Sequence, residues 1–242
     1  MKDLTKGKPS TLILAFALPI FFANLLQLTY SLVDTRIVGT FLGEDALAAV
    51  GATTTLSNLI IGFLQGLSGG FAIIIAQKFG AKDYKNVKKS FAMSLTMGTG
   101  IAIFFTVFGL LFLQPILNIL NVPSDLMATA KSYIFVIIAG LVATFLYDAC
   151  AAALRSLGDT VTPLVILAIS VALNIVGDLL FVVVLKSGVR GAAIATVLAQ
   201  AIAFVVCWIY MVKRYELLRL SREDFKDPNP VMVKNMLGAG MS

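Results

Sequence analysis

An all-α, polytopic membrane protein built from six spans is the fold class the sequence predicts, and three observations predict it. Charged residues make up 13 % of the 242 residues, and mean hydropathy is +0.93; a soluble domain carries about 25 % charge. The charges are also absent from long runs, at 11–33, 46–77, 90–124, 132–147, 160–179 (broken only by Asp178) and 191–212. A crossing needs about 20 apolar residues, and each run supplies one, the fourth by reaching back past Lys131. Finally, fifteen of the Lys and Arg residues fall on one side of the resulting topology, against Arg36, Lys131, Lys186 and Arg190 on the other. The positive-inside rule then places both termini in the cytoplasm. The net charge of +6 mostly follows from this bias, which favours topology and attraction to anionic lipid over nucleic-acid binding.

The first span is expected over 12–39. It exceeds the roughly 7–15 apolar residues of a signal peptide, and no small-residue cleavage site follows it. Pro19 lies inside it. Proline deletes one helix hydrogen bond and crowds a carbonyl, so a hinge is one reading; the other is that membrane helices tolerate proline well. The second span, 46–79, is dense in small residues (Gly62, Gly66, Ser68, Gly69, Gly70), which lets neighbouring backbones approach closely. The third covers 90–113, and a short interfacial helix is expected over 116–123. The fourth is read as one helix over 125–151, followed by a polar turn that ends at Pro163, where a helix start accepts proline. The fifth and sixth cover 161–185 and 191–214. Residues 1–214 thus form the six-span unit and 215–230 a charged cytoplasmic linker. Residues 231–242 turn apolar again and stop mid-pattern, the expected start of a seventh helix belonging to a second lobe.

The chain has no His, which removes Ser-His-Asp catalysis and His-dependent zinc hydrolysis and argues against an enzyme. Cys150 and Cys207 lack metal-ligand spacing and read as small buried hydrophobes. No metal site is assigned.

Two carboxylates, Asp34 and Asp178, do not fit their apolar surroundings. A charge at the centre of a membrane helix costs roughly 2.5–3.5 kcal/mol on insertion scales, so it must face water, bind a cation or take up a proton. Asn174 and Asp178 are one helical turn apart on a shared face. By helical rise, Asp178 lies about 12 Å in from Lys186, Asp34 about 8 Å from Gly39, Thr196 about 9 Å from Arg190 and Tyr133 about 12 Å from Asp125. Four spans therefore present polar side chains at similar depth in the outer half of the membrane. Other readings stand beside this one. Asp34 could pair with Arg36 at the interface, and Asn174 and Thr196 could be helix–helix glue. Asp148, near the cytoplasmic end of the fourth span, reads as a water-exposed structural carboxylate.

Several motifs carry a family resemblance. The stretches LVDTRIVG (32–39) and LGEDALAAVG (42–51), GLSGG (66–70) through QKFGAKD (77–83), LRSLGDTVTP (154–163), NIVGD (174–178) and GVRGAAIAT (188–196) resemble, in order, the multidrug and toxic compound extrusion (MATE) family, in its DinF-like branch. The resemblance implies one six-helix lobe of a twelve-helix exporter with a central cavity. It implies that Na+ or H+ is the coupling ion, with no cofactor, and that cationic amphipathic drugs leave in exchange. Asp34, Asn174, Asp178, Thr196 and Tyr133 would form the cation or proton network, and Pro19 the bending point. The partner would be a C-terminal lobe or a second copy of the chain. Asp148 departs from the family, since many relatives carry Asn there. Two rival readings are a lipid-linked saccharide flippase, which would need a cavity rich in basic residues, and an inactive half-transporter fragment.

Overall fold

A computed structural model describes residues 9–225 and 230–240. The lysines at 2, 6 and 8, most of the 227–230 breaker and the last two residues lie outside the described residues. The described chain is helical, with no strand: α1 (Pro9–Leu42), α2 (Glu44–Gly80), α3 (Tyr84–Leu111), α4 (Leu113–Ile119), α5 (Met127–Ala139), α6 (Leu141–Ser156), α7 (Val161–Asp178) continued by a π-helical stretch (Leu179–Val184), α8 (Gly188–Arg214) and α9 (Pro230–Gly240). Five of these helices are long and apolar enough to cross a bilayer, and α5 with α6 forms a sixth span bent by 44°. The spans are apolar on most sides, as lipid on one face and protein on the other require. Leu14, Phe21, Leu28 and Leu32 of α1 and Ile103, Phe104 and Leu111 of α3 are exposed on the outer surface.

The fourth span is therefore not the single helix expected over 125–151. Gly140 ends α5 and its carbonyl starts α6, accepting from the Thr144 amide at 3.2 Å. A Cβ at Gly140 would overlap the Val197 side chain of α8, so the small residue lets α8 press against the bend. Membrane helices accommodate such breaks where a neighbouring helix re-satisfies or shields the freed backbone. The short helix also sits earlier than expected, at Leu113–Ile119 rather than 116–123. Pro19 lies within an uninterrupted α1.

Polar side chains fix the helix ends on the lysine-rich side. Asp83 caps α3, accepting from the Asn86 amide at 3.4 Å and from Asn86 Nδ2 at 2.7 Å. These bonds, with Lys78 at 3.9 Å, hold its carboxyl below the usual carboxylate range. Asp159 does the same for α7 through the Thr162 amide (3.0 Å). Its other oxygen accepts from Tyr215 Oη at 2.8 Å and from Tyr210 Oη at 3.5 Å. Burial, reinforced by the Asp159 bond, pushes the Tyr215 phenol above its ordinary value. The clasp ties the α6–α7 turn to the end of α8 and the start of the linker. Tyr215→Phe should lower the melting temperature modestly, by the equivalent of about 1 kcal/mol for one lost bond to a charged acceptor on a partly exposed site. Asp159→Ala should cost more, because the α7 cap goes with it; equal melting temperatures for the two variants would contradict the clasp.

The core lies among α2, α3, α6 and α8, around the fully buried Phe71, Phe91, Phe145, Leu64 and Leu154. A smaller cluster of Ile37, Val38, Val50, Val182, Val189 and Ala192, with Tyr133 against it, joins the end of α1, the start of α2, the π-helical stretch after α7 and the start of α8. That cluster holds the acidic residues of α1 and α7 in register. α9 folds back on the bundle: Met232 and Met236 are buried, Ser90 Oγ lies 3.4 Å from Met232 Sδ, and Gly70 of α2 faces the α9 backbone at Ala239 and Gly240 so closely that no side chain would fit.

Candidate functional site

Each helix brings its polar residues at helical spacing. α1 supplies Tyr30 and Asp34, α7 supplies Asn174 and Asp178, and both pairs are four residues apart, stacked on one face. α5 contributes Tyr133 and α8 contributes Thr196. Asp178 is 0 % exposed and Asn174 2 %, while Tyr30, Asp34, Tyr133 and Thr196 are half-buried. Immediately after Asp178 the helix widens into its π stretch, a geometry that recurs at functional sites in membrane and soluble helices alike.

The carboxyl groups of Asp34 and Asp178 lie within hydrogen-bonding reach of each other. The Asn174 amide is oriented by its neighbours. In the orientation that satisfies both sides, Nδ2 donates to Asp178 Oδ2 at 2.9 Å, and Oδ1 accepts from the Thr196 amide (3.0 Å) and Thr196 Oγ1 (3.2 Å). Thr196 Oγ1 also lies 3.1 Å from Tyr30 Oη. Since its own proton is directed to Asn174 or to the Ala192 carbonyl at 3.1 Å, the tyrosine is the donor in that pair. Tyr30 and Tyr133 both feel the charges of Asp34 and Asp178. One oxygen of each acid, Oδ1, is buried and has no hydrogen-bond partner.

Two facing carboxylates repel unless a positive charge sits between them. Carboxylate, amide and hydroxyl oxygens are the donor set for a proton or a hard cation, not for a soft metal. Among the described residues no three His, Cys, Asp or Glu gather into a metal-binding group.

All five sequence-predicted network residues thus meet at one place, and Asp34 faces Asp178 instead of Arg36. Tyr30 is the member that sequence reasoning passed over; its position one turn before Asp34 would have pointed to it. Pro19 is elsewhere. It lines a separate cavity of about 240 Å³ further along α1, together with Gln27 and Asp148, and none of the six site residues lines that cavity. Asp148 corrects its expected exposure to water: it is half-buried, and its Oδ2 is buried without a partner.

The MatE family profile matches residues 19–180, a segment that holds five of the six site residues. The chain is a MatE family member. It is 31 % identical over 211 residues to the probable multidrug resistance protein YpnP of Bacillus subtilis (strain 168), covering 87 % of this chain and 47 % of that protein. It is 28 % identical to the probable multidrug resistance protein NorM of Thermotoga maritima, covering 84 % of this chain and 45 % of NorM. A crystal structure of MATE in the straight conformation superposes with a TM-score of 0.91 at 26 % identity, over 99 % of this chain and 53 % of the other. The bent conformation gives 0.90 at 27 % identity, with the same coverage. The MatE chain therefore spans about half the length of the curated relatives it matches. The all-helical, multi-span membrane fold expected from the sequence is the fold these structures share.

Proposed function

We propose that this MatE chain is the ion-coupling lobe of an exporter that moves cationic amphipathic drugs out of the cytoplasm in exchange for Na+ or H+. The observation that carries the reading is the facing pair Asp34 and Asp178, drawn from two helices, each with a buried oxygen left unpartnered. An entering cation or proton sits between them, removes their repulsion and draws α1 toward α7. α1 carries that movement to the cavity at Pro19, because Gln27 of the cavity and Asp34 of the site lie seven residues apart on the same helix face, about 10 Å by helical rise. The membrane potential contributes about 2.3 kcal/mol per charge per 100 mV, so one or two ions drive substantial export. The multidrug-resistance names of the relatives support the substrate class. The apolar face that α1 leaves exposed among the described residues suits a second lobe or a second copy as partner. The lysine-rich α2–α3 connection supports a cytoplasmic location for both termini. The flippase reading needs a strongly basic cavity to hold pyrophosphate, and the cavity beside Asp148 contains a single Arg.

Dye efflux from vesicles holding the intact transporter, with Na+ and pH gradients imposed separately, tests the proposal. At least one gradient is expected to drive ethidium against its concentration difference. Efflux that ignores both gradients would overturn it.

A further inference from the structure

Asp148 is a third acid inside the bundle, and the coupling pair makes no use of it. Its side chain is half-buried, and Oδ2 is buried with no hydrogen-bond partner. Arg155 follows seven residues later on α6, two turns along the same face. Yet among the described residues the two form no ion pair within 4.0 Å, so Asp148 is not held as a structural counterion. It opens on the cavity at Pro19, whose polar wall is Asn24, Gln27, Gln65 and Ser68. Ser68 Oγ is also buried without a partner. A space of that polarity and of about 240 Å³ has room for several waters, each needing about 10–15 Å³ on this measure.

A carboxyl among waters at membrane depth holds a metal cation or exchanges a proton. A hard metal cation needs several oxygen ligands, anionic ones among them. Around Asp148 the walls are nearly neutral. α1 brings Asn24 and Gln27, α2 brings Gln65 and Ser68, and α7 brings Pro163, Leu164 and Leu167, none of which titrates. α6 itself adds Tyr147 and Arg155, whose guanidinium never gives up its proton. α8 turns Cys207 toward Tyr147. One acid beside one fixed positive charge offers no net attraction to a metal ion, which leaves the proton.

Asp148 also stands between the outer pair and the lysine-rich side. Arg155 near the end of α6 and Thr160 in the turn after it line the cavity on that side. In the other direction Asn24, Gln27, Ser31 and Asp34 recur three and four residues apart, a polar stripe along one face of α1. Asn24 and Gln27 belong to the cavity, and Ser31 is exposed. From Gln27 to Asp34 is about 10 Å by helical rise, a gap that about three or four waters bridge at hydrogen-bonding spacing. We propose that Asp148 is the inner relay of the coupling reaction, accepting a proton that has left the Asp34–Asp178 pair and releasing it on the lysine-rich side. Waters along the α1 stripe carry the proton between the acids. Each hop breaks one O–H bond and forms another, so the Asp148 carboxylate returns once its proton has passed to water beyond Arg155. The inference rests on the exporter reading and deepens it: the coupling ion is H+, and a third acid serves the pair.

The intact transporter in vesicles tests it, with ethidium as cargo and trapped pyranine to follow H+. In the parent, a pH gradient alone should drive ethidium and protons in opposite directions. Asp148→Asn should slow both fluxes at least about tenfold, since a lost proton-transfer group costs that much or more. Ethidium–ethidium exchange without a gradient needs no net proton passage, so it should fall by no more than about twofold. Asp148→Glu should hold gradient-driven efflux within about threefold of the parent, its carboxyl reaching the same waters. Driven efflux by Asp148→Asn within about twofold of the parent overturns the relay. So do equal losses of efflux and exchange, which a structural or cargo-binding role predicts, and so does an Asp148→Glu protein as slow as Asp148→Asn. A parent driven by Na+ and indifferent to pH overturns the relay while the exporter stands. Efflux that ignores both gradients removes the exporter reading itself.

Discussion

Asp178→Asn is expected to cut gradient-driven efflux at least about tenfold while leaving the melting temperature unchanged or higher. The side chain is 0 % exposed and faces Asp34, so the variant keeps the shape and removes one of two like charges. The introduced asparagine can still accept from Asn174 Nδ2, the bond Asp178 makes at 2.9 Å, through its own amide oxygen, and its amide hydrogens can reach Asp34. The remaining carboxylate then has a neutral donor beside it and no longer requires an ion between two acids. Transport loses its driving reaction, but folding loses a repulsion. That opposite movement of activity and stability separates a coupling residue from a structural one, for which both would fall. Asp34→Asn should behave alike, and the double variant should be little worse than either, because the pair acts as a unit. Efflux within about twofold of the parent in Asp178→Asn would remove the coupling role.

Much of this site was legible because depth in a membrane can be counted. Helical rise from the nearest charged residue put Asp34, Asp178, Thr196 and Tyr133 in one layer, and the structure brings them together. Tyr30 escaped because a tyrosine in an apolar helix is ordinary until its hydroxyl is seen on Thr196. The break at Gly140 escaped for a different reason: the residue packed against it is Val197 on α8, fifty-seven residues away in sequence, and no local pattern announces it. Asp148 was misplaced because distance from a helix end was taken as exposure, whereas α1, α2 and α7 close over it to form the cavity. The return of α9 onto α2 through Met232 and Met236 follows from the apolar pattern of 231–240 only as a tendency to be buried, not as a choice of partner.

The largest stability effect is expected at Gly98, where two opposing tendencies can be weighed. In a helix interior Gly→Ala normally gains about 1 kcal/mol. At Gly98 of α3, however, a Cβ would overlap the ring of Phe145 on α6. Phe145 is 0 % exposed within the main core, so its ring has no free volume to retreat into. Overpacking of this kind costs about 1–3 kcal/mol or more, which outweighs the propensity gain and sets the sign: Gly98→Ala should lower the melting temperature and the yield of folded protein. Gly100, two residues on and open to its surroundings within 4 Å, supplies the control; Gly100→Ala should be neutral or stabilising. Phe145→Leu, destabilising by itself through the lost ring, should recover part of the Gly98→Ala loss when the two are combined, because the shorter side chain clears the space the methyl takes. Additive losses in that double variant, or a Gly98→Ala protein as stable as its parent, would show that α3 and α6 do not meet at this point, and with it the packing that holds α6 and its Asp148 against the cavity would have to be redrawn.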